Sequence, residues 1–358
     1  MGTPPATSTT TAPPGPTGGD LSGLFASLIE RTHTPRVLEG LRGGPTSAFS
    51  LDFAEGLLKR HYRDGVLVAC AQGVGDKLAL ARAAGVLEPV GFDLPALAVN
   101  DLACLRAEPL FFLASLALSD LAAPQAEELV KGMARGCLAS GGMAMLGGRA
   151  EALPEVFKDG AIDLAGFAVG IVERHKLAAQ IVPEAGDCAI ALASSGLHAH
   201  GFALARRALL GKAGFALADT PAELEGASLA QALLTPTRIY GPGVLELLGR
   251  YRVKRVVRGL AHVKEGGLPA ALAAALPAGL CLRVKRDAWT PGLIFALIAR
   301  AGAIDHDEMF HSFNMGVGFV LFVSHHFVKP VLAHLRQAGE RCWVLGKLVA
   351  GDEPLCWA

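Results

Sequence analysis

Val66-Leu67-Val68-Ala69-Cys70-Ala71-Gln72-Gly73-Val74-Gly75-Asp76-Lys77-Leu78 is the stretch on which the reading of this chain turns. Val66–Ala71 is a short, unbroken apolar run, as expected of a strand buried on both faces. Gln72–Gly75 then supplies a glycine-rich exit, and Leu78–Ala84 resumes with helical spacing. A buried strand feeding a helix through a tight glycine loop places this region in a mixed α/β layer and excludes an all-helical bundle.

Working outward, the same kinds of signal recur. Pro124 opens a helix with Leu129, Val130, Met133, Cys137 and Leu138 on one face. Met143–Leu146, Leu164–Val172 and Cys188–Ala193 read as strands, and a helix from Gly201 to Leu210 follows the last of them. Further on, Cys281–Val284 and Val317–Val323 read as strands and Gly292–Ala301 and Val328–Gln337 as helices, with Trp343–Leu345 closing the chain as a strand. Leu24, Leu28 and Ile29, and again Phe53, Leu57 and Leu58, fall at helical spacing. The elements alternate without a strict strand–helix–strand beat, and no Gly-x-Gly-x-x-Gly opens a helix. The expected class is therefore α+β, two domains with mixed or antiparallel sheets flanked by helices. Residues 1–20, dominated by Thr, Pro, Gly, Ala and Ser up to Gly19, read as a disordered tail. The N-terminal domain is expected over 21–172 and the C-terminal domain over 173–358.

Composition narrows the function classes. The chain has 358 residues, 51% hydrophobic and 18% charged, enough apolar content for a large core. Lys+Arg and Asp+Glu both total 33, so no net field draws the whole molecule to nucleic acid or anionic lipid. Mean hydropathy is +0.39, yet no uninterrupted apolar run reaches the roughly 18 residues a spanning helix needs, and Leu110–Leu118 and Phe313–Val323 are too short. They read as core. The seven cysteines contain no Cys-x-x-Cys pair, and no basic then apolar leader opens the chain, so a reducing cytoplasm is the expected location.

Four segments carry chemistry-bearing residues. In Gln72–Lys77, the amides of Gly73 and Gly75 can approach phosphate oxygens and Lys77 can neutralise charge, although the segment is not a Walker motif and an ordinary turn reads the same way. In Val99-Asn100-Asp101-Leu102, Asp101 suits a hard cation such as Mg²⁺; the competing reading is a helix N-cap at Asn100 or Asp101. Nearby Glu108 reads as a solvated loop carboxylate. Ser194-Ser195-Gly196-Leu197-His198-Ala199-His200 joins a strand to a helix through small hydroxyl residues, which suits an anion, with His198 open to acid–base work. The His-x-His spacing has no partnering Cys/His cluster for zinc. His262–Pro269 and Phe313–Gly318 place glycines at strand ends, where singly each is a turn.

Taken in order, these segments resemble one family, the phosphoribosylformylglycinamidine cyclo-ligases, also called aminoimidazole ribonucleotide synthetases. The resemblance runs from about Thr34 to Trp343. Its strings are GVGxKL at Gly73–Leu78, GFDLPALAVNDL at Gly91–Leu102, AEPLFFL at Ala107–Leu113, AGFAVGIVE at Ala165–Glu173, SSGLH at Ser194–His198, LLTPTRIY at Leu233–Tyr240, HVxxGGLP at His262–Pro269 and EMFHSFNMGVG at Glu308–Gly318. The resemblance implies two α+β domains, a homodimer, and use of ATP with Mg²⁺ to activate an amide oxygen of formylglycinamidine ribonucleotide before imidazole closure. It implies roles for Lys77, Asp101 and His198 in catalysis. For nucleotide and substrate binding it implies Gly73, Gly75, Lys77, Asn100, Ser194, Ser195 and Gly196.

The departures from that pattern are specific. Gln72 stands where the family has an aspartate, Asp76 where it has a threonine, and Arg149 where an acidic metal ligand is expected. Lys264-Glu265 replace Thr-Gly, Ala271 an Asn, His200 an Asn and Ala199 a Ser. Metal binding then falls to Asp101, with Asp76 as the replacement carboxylate, and Arg149 becomes a direct phosphate contact. Two readings follow: a working cyclo-ligase, or an impaired paralogue serving as a nucleotide-binding or regulatory subunit. A shifted substrate within the same ATP-using superfamily is a third.

Overall fold

A computed structural model of the chain describes residues 18–20, 23, 25–38, 48–51, 62–119, 123–157, 161–177, 181–251, 254–285 and 287–358. The expected tail before residue 18, the periodic residue Leu24, and the Phe53–Leu58 helix lie outside them. Gly18–Asp20, assigned to the tail by composition, instead forms strand β1.

Two sheets organise the molecule. After a two-stranded ribbon, β2 (Val37–Leu38) with β3 (Ala48–Phe49), come β4 (Gly65–Gly73), β5 (Glu108–Leu118), β6 (Ala144–Ala152) and β7 (Ile162–Glu173). With β1 they form a five-stranded sheet ordered β1-β6-β5-β7-β4, in which β5 and β6 are parallel and the other pairs antiparallel. The expectation that Val66–Ala71 is buried on both faces is corrected: β4 is an edge strand whose residues alternate between exposed and half-buried, so its apolar run covers one face of a sheet rather than filling a core. β8 (Cys188–Ala193), β9 (Val257–His262), β10 (Leu280–Val284), β11 (Val317–Val323), β12 (Cys342–Ala350) and β13 (Leu355–Trp357) form a second sheet ordered β13-β10-β12-β8-β11-β9. The chain therefore closes not on the expected strand at Trp343–Leu345 but on β13, which adds parallel to β10. Every residue of β11 is buried, because β11 lies between β8 and β9 with its two faces in different core clusters.

The helices are α1 (Ala26–Glu30), α2 (Lys77–Ala84), α3 (Glu88–Cys104), α4 (Ala123–Ala139), α5 (Phe202–Arg206), α6 (Leu229–Leu234), α7 (Gly241–Arg250), α8 (Gly267–Ala275), α9 (Leu293–Gly302), α10 (His306–Ser312) and α11 (Val328–Gln337). The helix expected over Gly201–Leu210 changes register after Arg206 and continues as a π-helix over Arg207–Lys212. None among the described residues is long and apolar enough to cross a membrane.

Helix α3 positions the site. It is apolar on nearly all sides, so it carries little amphipathic signal, and it is buried accordingly. It crosses α4 at backbone contact. A Cβ at Gly91 would meet the Leu129 carbonyl at 2.2 Å, one at Gly132 the Glu88 carbonyl at 2.1 Å, and one at Gly136 the Pro95 ring at 2.3 Å. At its far end Ala103 joins the core of the second sheet with Ile190, Tyr240 and Phe319. One helix thus belongs to both layers, and Asn100 and Asp101 ride on its last turns. The N-cap reading of that pair is thereby corrected: they lie near the C-terminal end of a 17-residue helix. Glu108 is corrected too, since it is buried at the start of β5 and accepts a hydrogen bond from Tyr62 Oη at 2.7 Å.

Candidate functional site

The chemistry-bearing segments meet where the two sheets face each other across α3. Asp101 is the centre. Its Oδ2 accepts from Gln72 Nε2 on β4 at 2.6 Å and from Lys264 Nζ, just past β9, at 2.7 Å. Its Oδ1 is 2.8 Å from Nδ1 of His262, the last residue of β9. Burial of the carboxylate disfavours its charge, but His262 and Lys264 outweigh that and hold its pKa down at about 2. Asp101 is an anion at any working pH. The His262 Nδ1 beside that anion is a donor, which leaves Nε2 buried and without a partner.

Adjacent to this corner, the Ser194–His198 segment is folded against the turn before β11 by Asn314. Ser194 Oγ donates to Asn314 Oδ1 at 2.9 Å, Asn314 Nδ2 donates to the Gly196 carbonyl at 2.8 Å, and Gly316 N donates to Asn314 Oδ1 at 2.9 Å. Gly196 has φ +152°, a backbone state that L side chains rarely adopt. His198 sits at φ 62°, strained for a residue with a Cβ. Its Nε2 accepts from the Ser195 amide at 3.3 Å, so Nδ1 carries the proton and has no partner. Burial, then the nearby His262, Lys77, His200 and Arg238, pushes the His198 pKa well below 6.5. The ring is neutral.

Lys77 and Asn100 have structural duties. Lys77 Nζ lies 2.7 Å from Asp93 Oδ2 and donates to the Thr235 carbonyl at 2.8 Å, with its side chain fully buried. The expected phosphate contact is therefore redirected: the ammonium is committed to the interior. Asp93 Oδ1 accepts from the Thr237 amide at 2.7 Å. Asn100 Nδ2 donates to the Arg238 carbonyl at 2.9 Å, and its Oδ1 accepts from the amides of Tyr240 (2.7 Å) and Gly241 (3.3 Å). Three side chains of the first domain thus clamp the Thr235–Gly241 strap of the second.

The glycine loop itself opens on a separate cavity of about 360 Å³, lined by Gly73, Gly75, Asp76, Arg82 and Asp163 among others. Asp76 is exposed there, whereas Asp101 does not line that cavity. Arg149, expected at phosphate, is mostly exposed on β6 and pairs with Glu151. Among the described residues no group of three or more His, Cys, Asp or Glu side chains is placed to hold a metal. The donor set at Asp101 points the same way. An amide N–H, an ammonium and an imidazole N–H converge on one carboxylate, and a divalent cation needs oxygen lone pairs instead. Mg²⁺ does not fit this corner as it stands.

Comparison with known proteins settles the family. The N-terminal domain described as "AIR synthase related protein" matches residues 56–172, and the corresponding C-terminal domain matches residues 184–354. The chain belongs to the AIR synthase related family. It is 39% identical over 335 residues to the phosphoribosylformylglycinamidine cyclo-ligase of Carboxydothermus hydrogenoformans, covering 94% of each chain. It is 42% identical over 334 residues to that of Symbiobacterium thermophilum, covering 91% of this chain and 92% of the relative. Solved structures share the fold at low identity. A thiamine-monophosphate kinase from Stenotrophomonas maltophilia superposes with TM-score 0.65 at 18% identity, over 95% of this chain and 98% of that one. The hydrogenase maturation protein HypE of E. coli superposes with TM-score 0.61 at 18% identity, over 94% of both. The expected family and α+β two-domain class are borne out.

Spacing alone did not single out Asp93, His262 or Asn314. Asp93 sits between apolar neighbours on α3 with no motif spacing of its own, and His262 and Asn314 act through contacts to segments far away in sequence. The strings quoted for the resemblance contain all three, which was the available signal.

Proposed function

We propose that this chain catalyses the ATP-dependent closure of formylglycinamidine ribonucleotide to aminoimidazole ribonucleotide, a step of purine biosynthesis, as a cytoplasmic homodimer. The observation that carries this is full-length: about two residues in five are shared with cyclo-ligases over more than nine-tenths of both chains. The reaction transfers the terminal phosphoryl group of ATP to the substrate's amide oxygen. A nitrogen of the same substrate then attacks that carbon, phosphate leaves, and the ring is closed. Such chemistry asks the protein mainly to position groups and to stabilise charge.

In this reading the Gly73 and Gly75 amides and the Ser194–Gly196 segment hold anionic groups of the ligands, and Lys77 and Asn100 position the strap behind them. Asp101 orients His262 through Nδ1, leaving the Nε2 lone pair to take a proton as the ring closes. His198, kept neutral by burial, donates from Nδ1 to the substrate. Dimerisation is supported by the outer face of the first sheet, where Leu67, Leu113 and Phe167 are 54%, 37% and 46% exposed on three adjacent strands.

The filling of Asp101 by Gln72, Lys264 and His262 favours one second reading, a subunit that binds nucleotide without turnover. Purified protein incubated with ATP, Mg²⁺ and formylglycinamidine ribonucleotide separates the two. Ribonucleotide-dependent ADP release with aminoimidazole ribonucleotide seen by mass spectrometry is the expected result. ATP binding without either product leaves only the second reading.

A further inference from the structure

The corner at Asp101 has the charge and donor pattern of a site whose cation is built into the chain. Asp101 brings one negative charge and Lys264 one positive charge, at 2.7 Å. Gln72 is neutral and must turn its NH₂ toward Asp101, because a carboxylate only accepts. The two positions that depart from the family pattern here, Gln72 and Lys264, therefore act on the same oxygen. One removes a carboxylate where the other adds an ammonium.

Lys264 is placed to do more than balance charge. An ammonium carries three N–H donors, and one is taken by Asp101. The side chain is 37% exposed, so the remaining donors are within reach of a ligand. The buried His198, a neighbour of His262, likewise has an Nδ1–H without a partner. Oriented N–H donors around an anchored cation suit phosphate oxygens.

We propose that the Lys264 ammonium occupies the place of a divalent cation against Asp101 and presents its free donors to ligand phosphate, so that this corner binds a nucleoside triphosphate without metal. The inference rests on the ATP-using reading above and deepens it. Asp101 is then the anchor of a lysine. Gln72 donates to the same carboxylate from the position where an aspartate would have offered a metal a second oxygen.

The test uses the full chain, with ATP as ligand in isothermal titration and Mn²⁺ as the metal probe in electron paramagnetic resonance. ATP affinity in excess EDTA should lie within about threefold of that in excess Mg²⁺. Lys264→Thr should weaken binding in EDTA at least about tenfold, while Lys264→Arg, which keeps the charge, should retain it. The protein without nucleotide should take up no Mn²⁺, and the double variant Gln72→Asp/Lys264→Thr should gain a Mn²⁺ site that Asp101→Asn abolishes. A loss of more than about tenfold in EDTA for the unaltered protein would overturn the proposal. So would Mn²⁺ uptake by the unaltered protein that Asp101→Asn removes. ATP binding in neither buffer would overturn the phosphate role along with the ATP-using reading, and the Mn²⁺ measurements would still decide whether Lys264 excludes metal from Asp101.

Discussion

Lys77 Nζ and Asp93 Oδ2 are 2.7 Å apart, and neither side chain exposes any surface to solvent. Burial pulls the Lys77 pKa below its ordinary value, and Asp93 opposes that pull. Removing one member of a buried pair strands the other, at a cost of about 3–5 kcal/mol. Lys77→Met should therefore lower unfolding free energy by that amount in urea titrations. A lysine serving chiefly as a phosphate ligand would instead spare stability and weaken only nucleotide binding.

Asp101 contributes a pH-dependent share of stability. Its pKa falls from 3.8 to about 2 on folding: burial raises it, but His262 and Lys264 lower it by more. The folded state therefore favours the anion, which is worth about 2 kcal/mol at neutral pH. That share is complete above about pH 4 and is lost as pH falls toward 2. Asp101→Asn should be less stable than the parent by about 2 kcal/mol at pH 6, with the gap closing toward pH 2, as read by denaturant unfolding across that range.

His200 should make the protein acid-sensitive in a different window. Burial, followed by His262 and Lys264, lowers its pKa from 6.5 to about 4. Below pH 6.5 the unfolded chain takes up the proton and the native state refuses it, so stability falls with pH down to about 4. The full loss is about 3 kcal/mol. Unfolding free energies of His200→Gln should drop less steeply than the parent's between these limits.

Gly318 lies under the strap. A Cβ there would meet Tyr240 Oη at 2.0 Å and His198 Cε1 at 2.7 Å. Tyr240 is held from the other side by its hydrogen bond to the Ala193 carbonyl at 2.8 Å, so it has little room to yield. Gly318→Ala should cost about 1–3 kcal/mol in thermal or urea unfolding and should reduce turnover by displacing His198.

The outer face of the first sheet gives a prediction about assembly. Phe167 stands opposite Ala71 on β4 and Leu113 on β5, so an acidic residue there would place charge in the middle of the apolar patch. The parent should sediment as a dimer and Phe167→Asp as a monomer, with little change in far-ultraviolet circular dichroism.

Much of the architecture could be read from local pattern. The strand Val66–Ala71, the turn at Gly73–Gly75 and the helix behind it each announce themselves over a few residues, and β8, β11 and α11 fall where periodicity places them. Helix α3 did not, because a helix buried on all sides has no polar face to alternate with. β13 did not either: three residues past a loop have no reason to pair until β10 presents an open edge.

The sequence by itself determined the family, the mixed α+β class and the segments from which the site is built, because ordered strings of residue types survive without reference to space. Only the tertiary structure decided what those residues do. It buried Lys77 against Asp93, and it brought Gln72, His262 and Lys264 to the Asp101 carboxylate from positions up to 192 residues apart. A side chain's charge and donors are local properties, but which acceptor they meet is settled by the packing of two sheets on one shared helix.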